Sequence, residues 1–485
     1  MAFIRKVKTA SGATAVQIAQ KSYGKITHIE HIGSAHNDEE LNTLLALAGE
    51  RLDRFQLSLF NDTHDPATSS FQISLRKSFS RLLFDVLKDQ FSLIGFDALC
   101  DEDFALLCIA RIVEATSKLD SIRVLSDLGI EGLTKDRFYR CLKRCALSDY
   151  RARIAQICIH RSIANGITLV LYDVTTLYFE VQEEDEYRKS GMSKERRLEP
   201  QIVVGLLVDQ NGFPLVVHSF EGNKAETNTI LPVINEFRQR HNLKDIVVVA
   251  DAAMMSAKNL QALSEAGYRY IVASRLHRIP YDIVEYQKDA DLFDNQIITQ
   301  QKEGYRIIYQ YRQKRAKLDL RNIEKQIIKA QKIVNGLATA KKAKFLTIKT
   351  REKSLNQRLI EKATALAGIK GYVTNLDIAD EQVIAYYHQL FQIEASFRMA
   401  KSDLKARPIF HQTRHSIDAH LTVVFAALAI ARVIELKTGI SIKTFVKILR
   451  PMRNGILTIN GKEYVAQPEI NSAAQRLIDV LNAGH

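Results

Sequence analysis

Residues 167 to 180 read ITLVLYDVTTLYFE. β-Branched and aromatic residues dominate, Gly and Pro are absent, and a buried strand is the natural reading. Asp173, in the middle, breaks the apolar pattern. A lone carboxylate there costs on the order of several kcal/mol to bury unless it is paired or bound to metal. The acid therefore calls for a partner.

Toward the C-terminus, EPQIVVGLLVDQNG (199–212) and FPLVVHSFEG (213–222) read as two strands joined through Asn211 and Gly212 as a hairpin. A helix (226–241), the buried-type strand DIVVVADAAM (245–254), a helix (256–267) and the strand RYIVASRL (269–276) come next. Three antiparallel strands and then α-β-α-β is the order of the ribonuclease H fold, whose first and fourth strands are neighbours. Asp251, at the end of the fourth strand, is then expected beside Asp173. Capping the helix near Ser256 is the plainer role for Asp251.

Further on, YYHQLFQIEASFRMAKSDLK (386–405) reads as one helix. At 100° per residue Tyr387, Glu394, Arg398, Lys401 and Lys405 form one stripe, and Leu390, Ile393, Phe397 and Leu404 another. A solvated face with an i,i+4 pair between Glu394 and Arg398 accounts for the polar stripe by itself. Beside Asp173 and Asp251, however, Glu394 completes a set of three carboxylates. Oxygen donors without thiol or imidazole suit two Mg²⁺ or Mn²⁺ ions, which act on both oxygens of a phosphodiester. The cations of the stripe, with Arg407 and Arg414 just beyond, suit phosphates.

The 485 residues carry 68 Lys or Arg against 55 Asp or Glu, a net charge of +13. That surplus favours a polyanion, nucleic acid or an anionic membrane. The longest apolar run, LTVVFAALAIA (421–431), is too short to span a bilayer, and the N-terminus lacks a signal peptide's apolar core. A cytoplasmic protein associated with the bacterial nucleoid is expected. Five cysteines without paired spacing read as reduced and structural. His411, His415 and His420 lack the spacing of a zinc site and read as structural or phosphate-facing.

Six segments are expected of a multidomain α/β protein. Residues 1–60 form a small N-terminal sheet plus helix, the helix from Asp38 to Leu57. Residues 61–165 are helical, with a pattern from Ser70 to Ile94. They include a candidate helix-turn-helix (117–146) whose second helix, capped by Thr134, offers Arg137, Arg140, Lys143 and Arg144 for reading DNA; a plain packing unit fits the same pattern. The core occupies 166–276 and 371–435, split by a basic insertion at 277–370, and 436–485 is a C-terminal helical region ending in a hairpin with a turn at Asn460 and Gly461. The segment at 181–200 lacks apolar periodicity and is expected to be mobile until substrate binds.

The stretches YDVTTLYFE, GNKAETNTI, VVVADAAMMSAKN and YYHQLFQIEASFRMAKSDLKARPIFHQTRHSIDAHL resemble insertion-sequence transposases with a DDE ribonuclease H core and a tyrosine-arginine-glutamate-lysine signature. The likeness covers 167–435 and, more loosely, the whole chain. It implies Asp173, Asp251 and Glu394 as the metal triad, Tyr387 and Lys401 on the phosphates of the transposon end, and a homodimer bridging two DNA ends. It further implies cleavage of double-stranded DNA at terminal inverted repeats and joining to target DNA. A nuclease or resolvase without joining, or a non-catalytic DNA-binding descendant, are the alternatives. The chain departs from the pattern twice. Leu390 holds the signature's arginine position, with Arg398 as the substitute, and the family's base-stacking tryptophan is absent, so either a Phe or Tyr of the insertion, such as Tyr305, Tyr309 or Tyr311, takes that role or the hairpin step differs.

Overall fold

The structure, a computed structural model, describes every residue except 1, 10–11, 23–24, 56–72, 181–182, 193–197, 242–245, 253–255, 275–279, 290, 340–342, 350–351 and 484–485. The chain divides into two compact units, Met1–Gln72 and Ile73–His485.

In the first unit β1 (Ala2–Lys8), β2 (Thr14–Ser22) and β3 (Lys25–Ala35) form the antiparallel sheet expected from the alternation of the sequence. Helix α1 (Asp38–Phe55) covers one face of it, with Val16, Ile18 and Ala48 at the centre. Its start is fixed reciprocally: Asn37 Oδ1 accepts from the Glu40 N–H, and the Glu40 carboxylate accepts from the His36 N–H. Residues 56–57, where the helix was expected to end, lie outside the described residues.

The second unit opens with β4 (Ile73–Phe79), where the sequence pattern suggested helix. Its partner lies far along the chain: β4 pairs with a C-terminal strand, Phe79 opposite Asn454 and Ile73 opposite Ile459. Tertiary pairing overrides local pattern here. Helices α2 (Arg81–Ile94), α3 (Glu102–Val113), α4 (Ser121–Asp127), α5 (Lys135–Leu147) and α6 (Tyr150–Ala164) come after it. The helix-turn-helix pattern is thus present, but α5 buries Phe138, Cys141, Leu142 and Cys145 in the core, and Thr134 at its start makes no side-chain capping bond.

Next come β5 (Leu169–Tyr178), β6 (Gln201–Asp209), β7 (Pro214–Glu221), α7 (Ile230–His241), β8 (Val247–Ala250), α8 (Ala257–Glu265) and β9 (Arg269–Ser274). After them lie α9 (Tyr281–Asp289), β10 (Ile297–Lys302), β11 (Tyr305–Tyr311), α10 (Gln313–Val334), β12 (Leu346–Lys349), β13 (Glu352–Leu355), α11 (Gln357–Ala365) and β14 (Ile369–Thr374). One eight-stranded mixed sheet takes the order β10-β11-β14-β9-β8-β5-β6-β7. Strand β5 is antiparallel to β6 and parallel to β8, and β8 is parallel to β9. The expected insertion is therefore not wholly separate, because Tyr309 pairs with Gly371 and brings β10 and β11 into this sheet. Only α10, the hairpin β12–β13 and α11 gather around a small core of their own, made of Ile323, Ala330, Phe345 and Ile360.

Helices α12 (Asp380–His388) and α13 (Phe391–Arg398), a π-helical turn (Met399–Asp403), α14 (Arg414–Thr438), α15 (Ile442–Leu449), β15 (Asn454–Ile459), β16 (Lys462–Ala466) and α16 (Ser472–Asn482) complete the chain. The C-terminal region is therefore part sheet, its hairpin turning at Asn460 (φ 49°) and Gly461 (φ 77°) as expected. Helix α14 extends well beyond the apolar run read in the sequence. By length and composition it could cross a membrane, yet 94% of its apolar window is buried in the protein, where α2, α3, α5 and β7 surround it. All five cysteines are free, four of them buried.

Of the segment expected to be mobile, 181–182 and 193–197 lie outside the described residues. The stretch between them is pinned: Asp185 accepts from the N–H groups of Tyr187 and Arg188 and pairs with the Arg188 guanidinium at 2.7 Å.

Candidate active site

Strand order brings two of the acids together. The parallel register of β5 and β8 sets Tyr172 opposite Ala250, so Asp173 and Asp251 each stand directly after the last paired residue. Helix α13 packs across β5 and β6 and carries the third acid in its first turns. Asp173, Asp251 and Glu394 line one cavity of about 480 Å³. None of the three is buried: Asp173 is half-buried, and Asp251 and Glu394 are exposed. The desolvation cost that drew attention to Asp173 is thus avoided by opening the strand onto a solvent-filled cleft.

Short bonds orient the carboxylates. Asp173 Oδ1 accepts from the Val174 N–H, and Asp251 Oδ1 from the Ala252 N–H, each at 2.7 Å. The Tyr387 hydroxyl donates to the same Asp251 oxygen at 3.2 Å. Burial, then the Asp251 and Glu394 charges, push the Tyr387 phenol well above its usual range, so it remains a donor.

Two further polar residues, both missed in the sequence, share the cavity: Lys370 on β14 and His388 at the end of α12. The Lys370 ammonium lies 4.2 Å from the centroid of the Tyr387 ring and 5.6 Å from that of Tyr372. Burial and the Arg315 charge lower its pKa, while Asp251 and Glu394 oppose that shift. His388 is held below its usual pKa by burial, then by Lys370 and Arg312. Leu390, Phe391 and Ile393 form the apolar wall.

The single helix expected over 386–405 is interrupted. Helix α12 ends at His388, α13 restarts at Phe391, and the π turn begins at Met399. Tyr387 and Glu394 still meet at the cavity, but the cations of the expected stripe diverge, because each interruption rotates the residues C-terminal to it. Arg398 is exposed at the end of α13, outside the cavity lining. Lys401 borders a small apolar pocket with Phe397 and Leu421. Lys405, at φ 43°, borders a separate groove with Lys443, Lys447 and Arg450, and the Arg407 guanidinium sits 5.6 Å from the Tyr178 ring.

The aromatics expected at the site are elsewhere. Tyr309 is buried beside Ile283 and Ile369, Tyr311 packs on the same cluster, and Tyr305 does not line the cavity. Phe391 does, 58% exposed. On α5, Arg137 pairs with Asp103 at 2.7 Å and Arg144 with Asp101 at 2.8 Å. These two tie the start of α3 to α5, with their side chains 38% and 43% exposed. Arg140 bonds the Asp136 carbonyl at 3.3 Å, and Lys143 is exposed. His420 bonds Lys118 and the Ala406 carbonyl, each at 3.1 Å, and so is structural.

Among the described residues no three His, Cys, Asp or Glu stand close enough to ligate one ion as placed. The donor set nevertheless fits hard divalent cations in kind: carboxylate oxygens from three elements around a cleft with room for water and phosphate.

The model of a family described as "Transposase DDE domain" matches residues 164–430, just over half of the chain. Among solved structures, the cryo-EM structure of the piggyBac transposase synaptic complex with hairpin DNA is similar, at 12% identity and a TM-score of 0.42, over 79% of this chain and 82% of that one. No curated protein matches the sequence.

Proposed function

The chain belongs to the family of transposases with a DDE domain, and from that premise we propose that Asp173, Asp251 and Glu394 are its metal-binding carboxylates. The enzyme is a DNA transposase, and we read its task as cutting an insertion sequence at its terminal inverted repeats and joining the freed 3′ hydroxyl to target DNA. The observation that carries the assignment is the meeting of three acids, far apart in sequence, around one cavity. The strand order β7-β6-β5-β8-β9, with β5 parallel to β8, supports a ribonuclease H-like core.

Divalent ions serve this family; here a pair of Mg²⁺ or Mn²⁺ would polarise the attacking and departing oxygens of the phosphodiester. The chain's own residues do the rest. The three carboxylates supply oxygen donors from two strand ends and one helix. Tyr387 fixes the orientation of Asp251 through its hydroxyl. Lys370, behind that ring, places a positive charge where the scissile phosphate enters. Leu390 and Ile393 exclude water from one wall, and Phe391 is the ring available to stack on a base at the cleft. Water and then a DNA 3′ hydroxyl act as nucleophiles, so no protein side chain becomes covalently attached. Pairing two ends calls for a homodimer on DNA, acting in the cytoplasm on the nucleoid.

The test uses labelled terminal-repeat duplexes and a target plasmid in Mg²⁺, with wild type and Asp173→Asn. Cut and inserted products from the wild type alone support the reading. Cutting without insertion would make the protein a nuclease, and DNA binding unaffected by the substitution, without products, a regulator.

A further inference from the structure

Between Arg312 and Lys362 the sequence carries sixteen Lys or Arg against four Asp or Glu, a surplus of twelve in a chain whose total surplus is thirteen. Nearly all the net positive charge that points to a polyanion therefore falls in one stretch of sequence, the arm that carries α10, the hairpin β12–β13 and α11.

Helix α10 shows how the charge is displayed. Ala316, Ile323, Ala330 and Ile333 are its buried positions. At 100° per residue the basic residues Lys314, Lys317, Arg321, Lys325, Lys329 and Lys332 fall within about 60° of the direction roughly opposite to that face. All six are exposed. Among the described residues the ion pair of this helix is Arg315 with Asp319 at 3.5 Å, off the stripe, and Glu324 stands at the stripe's edge, i,i+3 from Arg321.

A solvated helix usually balances such a face with acids at i,i+4. Here the stripe is a ladder of like charges: 314 to 317, 317 to 321, 321 to 325, 325 to 329 and 329 to 332 are all i,i+3 or i,i+4 neighbours. Each such pair works against the helix, a cost that an external anion would remove. The ladder is about 27 Å long at 1.5 Å per residue. Duplex DNA offers about sixteen phosphate charges over that length. At the base of the arm, Arg315 and Arg312 act electrostatically on Lys370 and His388 in the acid cavity. Positive potential thus runs from the helix to the site.

We propose that this arm is a sequence-independent clamp on the backbone of duplex DNA, leading it to the cavity. The inference rests on the DNA transposase reading and adds the surface that grips the substrate. Lysines and one arginine on a single helix face outside any groove suit phosphates rather than base edges.

The experiment compares the full-length protein with a variant carrying Lys314→Gln, Arg321→Gln, Lys325→Gln and Lys332→Gln. Affinity is measured against salt for a terminal-repeat duplex, a scrambled duplex of equal length, and vesicles of phosphatidylcholine with phosphatidylserine. In the variant the slope of log K against log salt should fall by about 3–4, since each lost phosphate contact removes about 0.9, and by the same amount on both duplexes. Its unfolding temperature should equal or exceed that of the wild type, as repulsion has been removed. Cutting at limiting protein should fall in step with the lost affinity. An unchanged slope, a loss confined to the terminal repeat, or wild-type binding to vesicles in preference to duplex would overturn the clamp. If the wild type binds duplex through the arm yet cuts nothing, the catalytic reading fails and the clamp stands; if it cuts while the slopes coincide, only the clamp fails.

Discussion

The hydroxyl of Tyr387 donates to Oδ1 of Asp251 across 3.2 Å, linking the last turn of α12 to the end of β8. A carboxylate steered in this way presents its remaining lone pairs to the cavity, as outer-shell partners of metal ligands do. Tyr387→Phe keeps the ring beneath Lys370 and removes only the donor. Cutting at limiting Mg²⁺ should fall about 10- to 100-fold, with part of the loss recovered at high Mg²⁺ and duplex affinity unchanged. A magnesium titration superimposable on that of the wild type would show the bond to be idle.

Lys370 yields a second expectation. Its ammonium is held over two tyrosine rings and feels both Asp251 and Glu394. Among the described residues lining the cavity it is the lysine or arginine present. Lys370→Ala should lower the cutting rate about tenfold or more, equivalent to about 1.4 kcal/mol, and Lys370→Arg should recover part of it. The carboxylates also lose a neutralising neighbour, so Lys370→Ala should melt below the wild type in chelator, with the gap narrowing in Mg²⁺. Equal activity of the alanine and wild-type proteins would remove Lys370 from the site.

The range of each interaction decides whether the sequence reveals or conceals it. Strands β5 to β9 announce themselves through β-branched runs and an Asn-Gly turn, all local signals, and Asp173 and Asp251 stand out as acids in apolar runs. Glu394 was legible by its place on a helix after the sheet. Strand β4 was not, because its partner β15 lies at the other end of the chain. The break at Gln389 and Leu390 has neither Gly nor Pro to mark it, so the stripe drawn through Arg398, Lys401 and Lys405 ran straight where the chain turns. Lys370 stands near the start of an ordinary strand; only the pairing of β14 with β9 and β11 brings it to the acids.

The basic face of α5 illustrates the same limit and can be tested. Asp101, whose side chain is only 4% exposed, receives two bonds from Arg144 and one from Tyr150. Burial alone would raise its pKa, but the bonds from Arg144, Tyr150 and the Phe104 N–H outweigh this and leave it lowered. Arg144→Ala leaves that carboxylate under-compensated and should cost about 1–3 kcal/mol in denaturant unfolding, while affinity for duplex DNA changes little. A large loss of DNA affinity at unchanged stability would restore the DNA-reading role of this helix.

Acid should weaken the fold through two histidines. His420, 3% exposed, bonds the Ala406 carbonyl through Nε2 and faces the Lys118 amino group through Nδ1. Burial, then the charges of Lys118 and Arg111, hold its pKa well below the usual value; the same causes lower His411, whose ring lies 5.4 Å away, to about 4. In the unfolded chain both take up protons near the ordinary value of about 6.5. The unfolded state thus binds more protons between that value and the depressed ones, so the contribution of these two imidazoles is complete above about pH 6.5 and is lost as pH falls toward 4. Each imidazole contributes a slope of up to about 1.4 kcal/mol per pH unit in that window. His420→Gln can accept from Lys118 and donate to Ala406 without titrating. Its unfolding free energy should fall less steeply than that of the wild type between pH 6.5 and 5, with the two curves parallel above pH 7. Curves parallel over the whole range would mean that His420 is not the group whose protonation opens this part of the core.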